Sequence, residues 1–243
     1  MSQHTLSATH TNEQDRSFDR GLKNFMSLVY LQMGVGMFVT AVVAMVVGLN
    51  PGLLALFQDT GPEGGITVLG IVIALVPFGM IFLMSFGFEK LSPTAMGVLF
   101  QAFCGLMGIS TAGIFAVYTG GSIASVFLTT MIMFLGISLW GYTTKRDLSG
   151  LGTFFLMGLI GLIAAMVINI FLASPAVNFA ISIVGVLLFA GLTAYDTQQT
   201  KSLYTRHASR GDLLKASTMA AMNLYLDLLN LFMFMLSIFG NKK

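Results

Sequence analysis

Seven stretches of about 20 residues, each almost wholly apolar, decide what this chain can become. They run over Leu28–Leu49, Ile66–Phe86, Thr94–Tyr118, Ile123–Tyr142, Leu151–Leu172, Val177–Gln198 and Ser217–Phe239. Each is long enough to cross the hydrocarbon core of a bilayer as a helix. The apolar runs are continuous and do not alternate, so helices are expected rather than barrel strands. Helix breakers separate them: Asn50-Pro51-Gly52, Gly61-Pro62, Ser92-Pro93, Gly120-Gly121, Gly150 and Ser174-Pro175. Composition agrees, since 9% of residues are charged where a soluble domain carries about a quarter. The fold class expected is an all-α membrane protein with seven transmembrane helices, one domain over residues 28–240. The preceding residues, 1–27, read as a loose polar tail. They lack the short apolar core and small-residue cleavage site of a signal peptide.

Basic residues set the expected orientation. Arg16, Arg20 and Lys23 precede segment 1, Lys90 follows segment 2, and Lys145 and Arg146 follow segment 4. Lys201, Arg206, Arg210 and Lys215 lie between segments 6 and 7. All ten fall on one side, which is expected to be cytoplasmic and to carry the tail. Lys242 and Lys243 fall on the other side if the last segment crosses fully, and would return only if it were re-entrant. The net charge of +2 gives no reason to expect a nucleic-acid partner; the lipid bilayer is the expected one. His4, His10 and His207 lie outside the apolar segments. The single cysteine, Cys104, has no partner for a disulfide and reads as packing.

Two residues break the apolar pattern. Asp196 and Asp227 are the only acids within the seven segments. A carboxylate inside a bilayer costs several kcal/mol unless it is paired, hydrated or protonated. Two of them in adjacent segments point to one shared site. On segment 7, Asn223, Asp227 and Asn230 fall on one stripe at helical spacing. That stripe should turn toward protein or water, which sets segment 7 against or within the other helices. Interhelical hydrogen bonding accounts for the two asparagines, but an amide would do that work without a charge. Asp227 lies about 15 Å into its segment. If segment 6 stays helical through Tyr204, Asp196 reaches a similar depth.

The motifs around these acids resemble a known family. Ala194-Tyr195-Asp196-Thr197-Gln198 and Leu224-Tyr225-Leu226-Asp227-Leu228-Leu229-Asn230-Leu231-Phe232 are similar to the signature of the Bax inhibitor-1 family of seven-helix membrane proteins. Gly21-Leu22-Lys23 with Met26 and Val29-Tyr30 resembles the opening of its bacterial members, and Gly141-Tyr142-Thr143-Thr144-Lys145-Arg146-Asp147-Leu148 agrees. The match runs from about Phe18 to Gly240. The resemblance implies six helices surrounding a central seventh, and a pH-sensitive leak of calcium ions across the membrane. It makes Asp196 and Asp227 the pH sensor and part of the ion pathway, and a bacterial inner membrane the expected location. Some members latch the pair with an arginine near the cytoplasmic end of helix 2. No arginine stands there, and Lys90 is the nearest substitute, though a lysine lacks the bidentate fork. Glu89 beside it is an equally good partner for Lys90.

Two carboxylates at close range in a low dielectric do not both ionise cheaply, so one shared proton persists near neutral pH. Protonated, the pair clamps segments 6 and 7; deprotonated, it repels and welcomes a hard cation. Calcium takes six to eight oxygens. Asp196 and Asp227 with Asn223, Asn230 or water would make a weak, transient metal site suited to leak. Calcium is then the transported species, with no resident cofactor and no enzymatic role. The alternative from another class is a non-channel modulator of a membrane-bound quality-control protease, as some bacterial relatives look to be, with the tail as the working part. An intramembrane aspartyl protease fits less well. Such enzymes carry a Gly-x-Gly-Asp motif, whereas Tyr195 and Leu226 precede the acids here.

Overall fold

In a computed structural model of the protein, the structure describes residues 2–59, 65–206 and 209–243, with side chains from Phe18 onward except at 59 and 206. The Gly61-Pro62 breaker and His207 lie outside the described residues, as do the side chains of the first part of the tail. Helix α1 spans Ser2–Gly48, so it extends well beyond the apolar edge at Leu28. Phe25 and Met26 of the polar stretch are buried.

Four of the breakers turn out to be helix starts, at Pro51, Pro93, Gly120 and Pro175. Pro51 opens α2 (Pro51–Phe57) behind an Asn50 cap whose side chain accepts from the amides of Gly52 and Leu53. Pro93 opens α4 (Pro93–Thr111) behind a Ser92 cap. A proline there loses no helical hydrogen bond, because that amide has no partner anyway. Between α2 and α3 (Val68–Phe86) lies a two-residue antiparallel pair, β1 (Gln58–Asp59) with β2 (Gly65–Ile66). The expected third segment divides into α4 and the single turn α5 (Ile114–Val117). Helix α6 covers Gly120–Thr143, and a 3-10 turn at Ser149–Leu151 leads into α7 (Gly152–Leu172). Helix α8 runs over Pro175–Arg206 and α9 over Arg210–Phe239, both several residues beyond the apolar segments that announced them.

Among the described residues, seven helices are long and apolar enough to cross a membrane. Burial separates the last from the rest. In its apolar window α9 has 56% of residues buried, whereas the other six have 11–33%. Helix α9 packs directly on α1, α4, α6 and α8, and α3 and α7 complete the bundle by packing on α4 and α8. The seventh helix is therefore the central one, as expected.

The chain ends beside the turn between α5 and α6. Lys242 forms a bridge with Tyr118, the Thr119 amide donates to Asn241 O, and the Lys243 amide donates to Val117 O. The last helix thus crosses the whole bundle rather than re-entering. Lys242 and Lys243 lie at the end opposite the α8–α9 connection.

Candidate functional site

Asp196 and Asp227 come together across the antiparallel pair α8 and α9. Their carboxyl groups lie within side-chain hydrogen-bonding reach of each other. Helix α8 does continue past Gln198 to Arg206, and that continuation brings Asp196 to the depth of Asp227. Asp227 is 4% exposed, and its Oδ2 is buried with no donor among the described residues. Asp196 is only partly buried. The pair therefore has an inner member enclosed by helices and an outer member nearer the surface.

Close packing holds α8 in place. Gly141 of α6 lies so near Ala194 that a Cβ on it would sit 2.5 Å from the Ala194 carbonyl oxygen. One turn away, hydroxyls link three helices: Tyr30 to Ser138 at 2.6 Å and Ser138 to Thr197 at 2.8 Å. Thr197 in turn donates to Thr193 O at 2.7 Å. Toward the end of α8, Lys201 Nζ donates to Tyr142 O at 2.6 Å and lies 4.7 Å from the centre of the Tyr142 ring. Gln198 accepts from the Leu148 amide and donates to Arg146 O.

Helix α9 is fixed from its other side by Tyr225. Its hydroxyl lies 2.7 Å from Thr40 Oγ1, which is also within reach of Cys104 O at 2.9 Å and Gly36 O at 3.0 Å. Phe100 and Phe103 present their rings to Tyr225 at steep angles, with centroids 5.9 and 5.7 Å away. Cys104 is buried in this cluster. Asp227 is thus carried on a helix whose orientation is set by an aromatic and a hydroxyl contact two residues earlier.

Residues 22–243 match the family model described as "Inhibitor of apoptosis-promoting Bax1". The chain belongs to the Bax inhibitor-1 family. It is 39% identical over 232 residues to an uncharacterized protein of Caulobacter vibrioides, covering 94% of this chain and 93% of that one. It is 40% identical over 225 residues to the inner membrane protein YbhL of Escherichia coli K12, covering 92% and 94% of the two chains. A Rickettsia prowazekii protein, uncharacterized protein RP147, is 37% identical over 234 residues, with 96% of each chain covered.

The other residues proposed from the sequence for the site fall elsewhere. Asn223 is exposed, and Asn230 donates to Leu226 O of its own helix at 2.8 Å. Neither asparagine hydrogen-bonds to the aspartates among the described residues. The three share one stripe of about 60° but differ in exposure along the helix: Asn223, a turn nearer the start of α9, is open while Asp227 is enclosed. Lys90 is exposed in the turn after α3, and among the described residues it makes no salt bridge to the pair or to Glu89.

A different lysine joins this turn to the central helix. Lys215 of α9 is 8% exposed, pairs with Asp212 at 3.0 Å and donates to Phe88 O at 2.9 Å. Its ammonium also lies 4.8 Å from the centre of the Phe88 ring. Sequence reasoning used Lys215 only as a topological charge. The signal available was its place two residues before the last apolar run, where a long stem can lie along a helix interface.

Proposed function

We propose that this protein is a pH-sensitive cation leak pathway of the bacterial inner membrane, permeable to calcium and gated by the Asp196–Asp227 pair. The observation that carries this reading is the meeting of the two intramembrane acids, one enclosed on the central helix and one nearer the surface. Two carboxyls in this contact need a proton between them. That proton also supplies a donor where Asp227 Oδ2 has none among the described residues. With it, α8 and α9 are clamped. Without it, two like charges face each other in a low dielectric, and their repulsion favours a cation between them.

The site would hold calcium weakly. Among the described residues there is no group of three or more His, Cys, Asp or Glu side chains able to hold a metal ion. Two carboxylates with water fall short of the six to eight oxygens that calcium prefers, unless water supplies most of them. Such a site suits passage rather than storage. The inner-membrane location is supported by the name of the Escherichia coli relative. With Lys90 away from the pair, repulsion sets the sign, and flux rises as pH rises.

The test is calcium flux into proteoliposomes across a pH series. Asp196→Asn and Asp227→Asn should each remove most of the pH dependence, since a neutral amide cannot take part in the shared titration. The double variant should be little worse than either single one, because the two residues act as a unit. Unchanged pH dependence in both single variants, at equal protein incorporation, would sink the sensor. The modulator of a membrane protease would then be the leading reading.

A further inference from the structure

Away from the aspartate pair, α1 and α6 leave a groove between them at the end where α1 enters the bundle. Its volume is about 570 Å3. Met26, Leu135 and Leu139 give it apolar walls, and Ser27, Tyr30 and Ser138 place hydroxyls along it. Lys23 stands at its mouth, exposed and without a salt bridge among the described residues. Leu135 and Leu139 are exposed on the outer surface of the bundle, so the groove faces the lipid.

The order of these groups along α1 matches the order of groups along a phospholipid. Lys23 precedes Tyr30 by seven residues, roughly 10 Å along the helix axis. A phosphate held at Lys23 would leave the glycerol ester region beside Ser27 and Tyr30. The acyl chains would then lie along Leu135 and Leu139. A cation at the mouth favours an anionic headgroup over a zwitterionic one, since basic residues at a membrane surface attract anionic lipid. We propose that this groove is a binding site for one anionic phospholipid of the leaflet on that side, with its phosphate at Lys23.

The site has a mechanical neighbour. Tyr30 and Ser138 in its wall are two members of the hydroxyl chain that ends on Thr197. Thr197 adjoins Asp196 in the sequence of α8. A lipid seated here presses on the contact that positions α8 against α1 and α6. The site stands whether or not the protein conducts ions.

The experiment uses the full chain, delipidated in a neutral detergent and titrated with phosphatidylglycerol, with phosphatidylcholine of the same acyl chains, or with inorganic phosphate. Thermal melting and native mass spectrometry are the readouts. Phosphatidylglycerol should raise the melting temperature and remain bound in one copy, more tightly than phosphatidylcholine. Lys23→Gln should weaken its binding about fivefold, as removal of one interfacial charge implies. Leu135→Trp, which fills the lipid-facing wall, should abolish the one-copy complex, and Lys145→Gln, off the groove, should leave it intact. Equal effects of the two lipids would overturn the proposal. So would a shift produced by phosphate alone, or full retention of the one-copy complex in both the Lys23 and Leu135 variants.

Discussion

Replacing Gly141 by alanine adds one methyl group at the tightest crossing near the aspartate pair. The new Cβ would meet backbone on α8, with Ala194 O at 2.5 Å, Ala194 Cα at 2.9 Å and Ala194 C at 3.1 Å. A flexible side chain could turn aside, but a helix backbone moves only as a body. The carbonyl must retreat by about 0.9 Å to regain ordinary contact. Overpacking of this kind costs about 1–3 kcal/mol, partly offset by the gain of up to about 1 kcal/mol in helix propensity when glycine becomes alanine. A net loss of about 1–2 kcal/mol is expected. Gly136, five residues earlier on the same helix, has nothing within 4 Å of its would-be Cβ. Gly136→Ala should therefore be neutral or slightly stabilising. Unfolding in mixed micelles by sodium dodecyl sulfate measures both variants against the wild type. Because Ala194 lies two residues before Asp196, Gly141→Ala should also disturb the pH dependence of flux while Gly136→Ala leaves it unchanged. Equal stability of the two variants would refute the idea that this crossing sets the position of α8.

Three further outcomes are expected. Lys90→Gln should leave the pH profile of calcium flux at its wild-type position, since Lys90 stands apart from the pair; a displaced profile would restore the latch. Tyr225→Phe should cost about 1 kcal/mol of stability through loss of the Thr40 contact, with Thr40→Val giving a similar loss and the double variant less than their sum. The Asp147 carboxyl is held below the usual carboxylate range by hydrogen bonds from the Ser149 amide and side chain. Its contribution to the turn before α7 is therefore present at neutral pH and lost as pH falls through its lowered value. The protection factor of the Ser149 amide, its exchange rate relative to the intrinsic rate at each pH, should fall on acidification in the wild type and be low throughout in Asp147→Ala.

The seven crossings were legible because lipid imposes one requirement on every residue of a span: continuous apolarity. The same uniformity hides what faces what. In a soluble helix, polar residues mark the solvent side; here protein and lipid are both apolar, and Leu228 and Leu187 look alike in sequence. Leu228 is wholly buried on α9, and Leu187 is 69% exposed on α8. Only the charges broke that symmetry, and so Asp196 and Asp227 were readable as a pair. Asn223 and Asn230 were less readable, since an amide can satisfy itself on its own helix. Lys90 and Lys215 were interchangeable as topological charges. Only tertiary packing separates an exposed turn from a buried interface.

The most enclosed helix is made after the six other membrane-crossing helices. Synthesis delivers α1 through α8 before residues 210–239 exist, and chains generally begin to fold from the end that emerges first. The earlier helices must enter the membrane around a space that has no occupant. Tyr225, Phe232 and Leu236 then supply the missing core in a single late step, and Lys242 and Lys243 close over the α5–α6 turn only after that. A ribosome that stops short of α9 therefore leaves an open shell rather than a slightly weakened bundle.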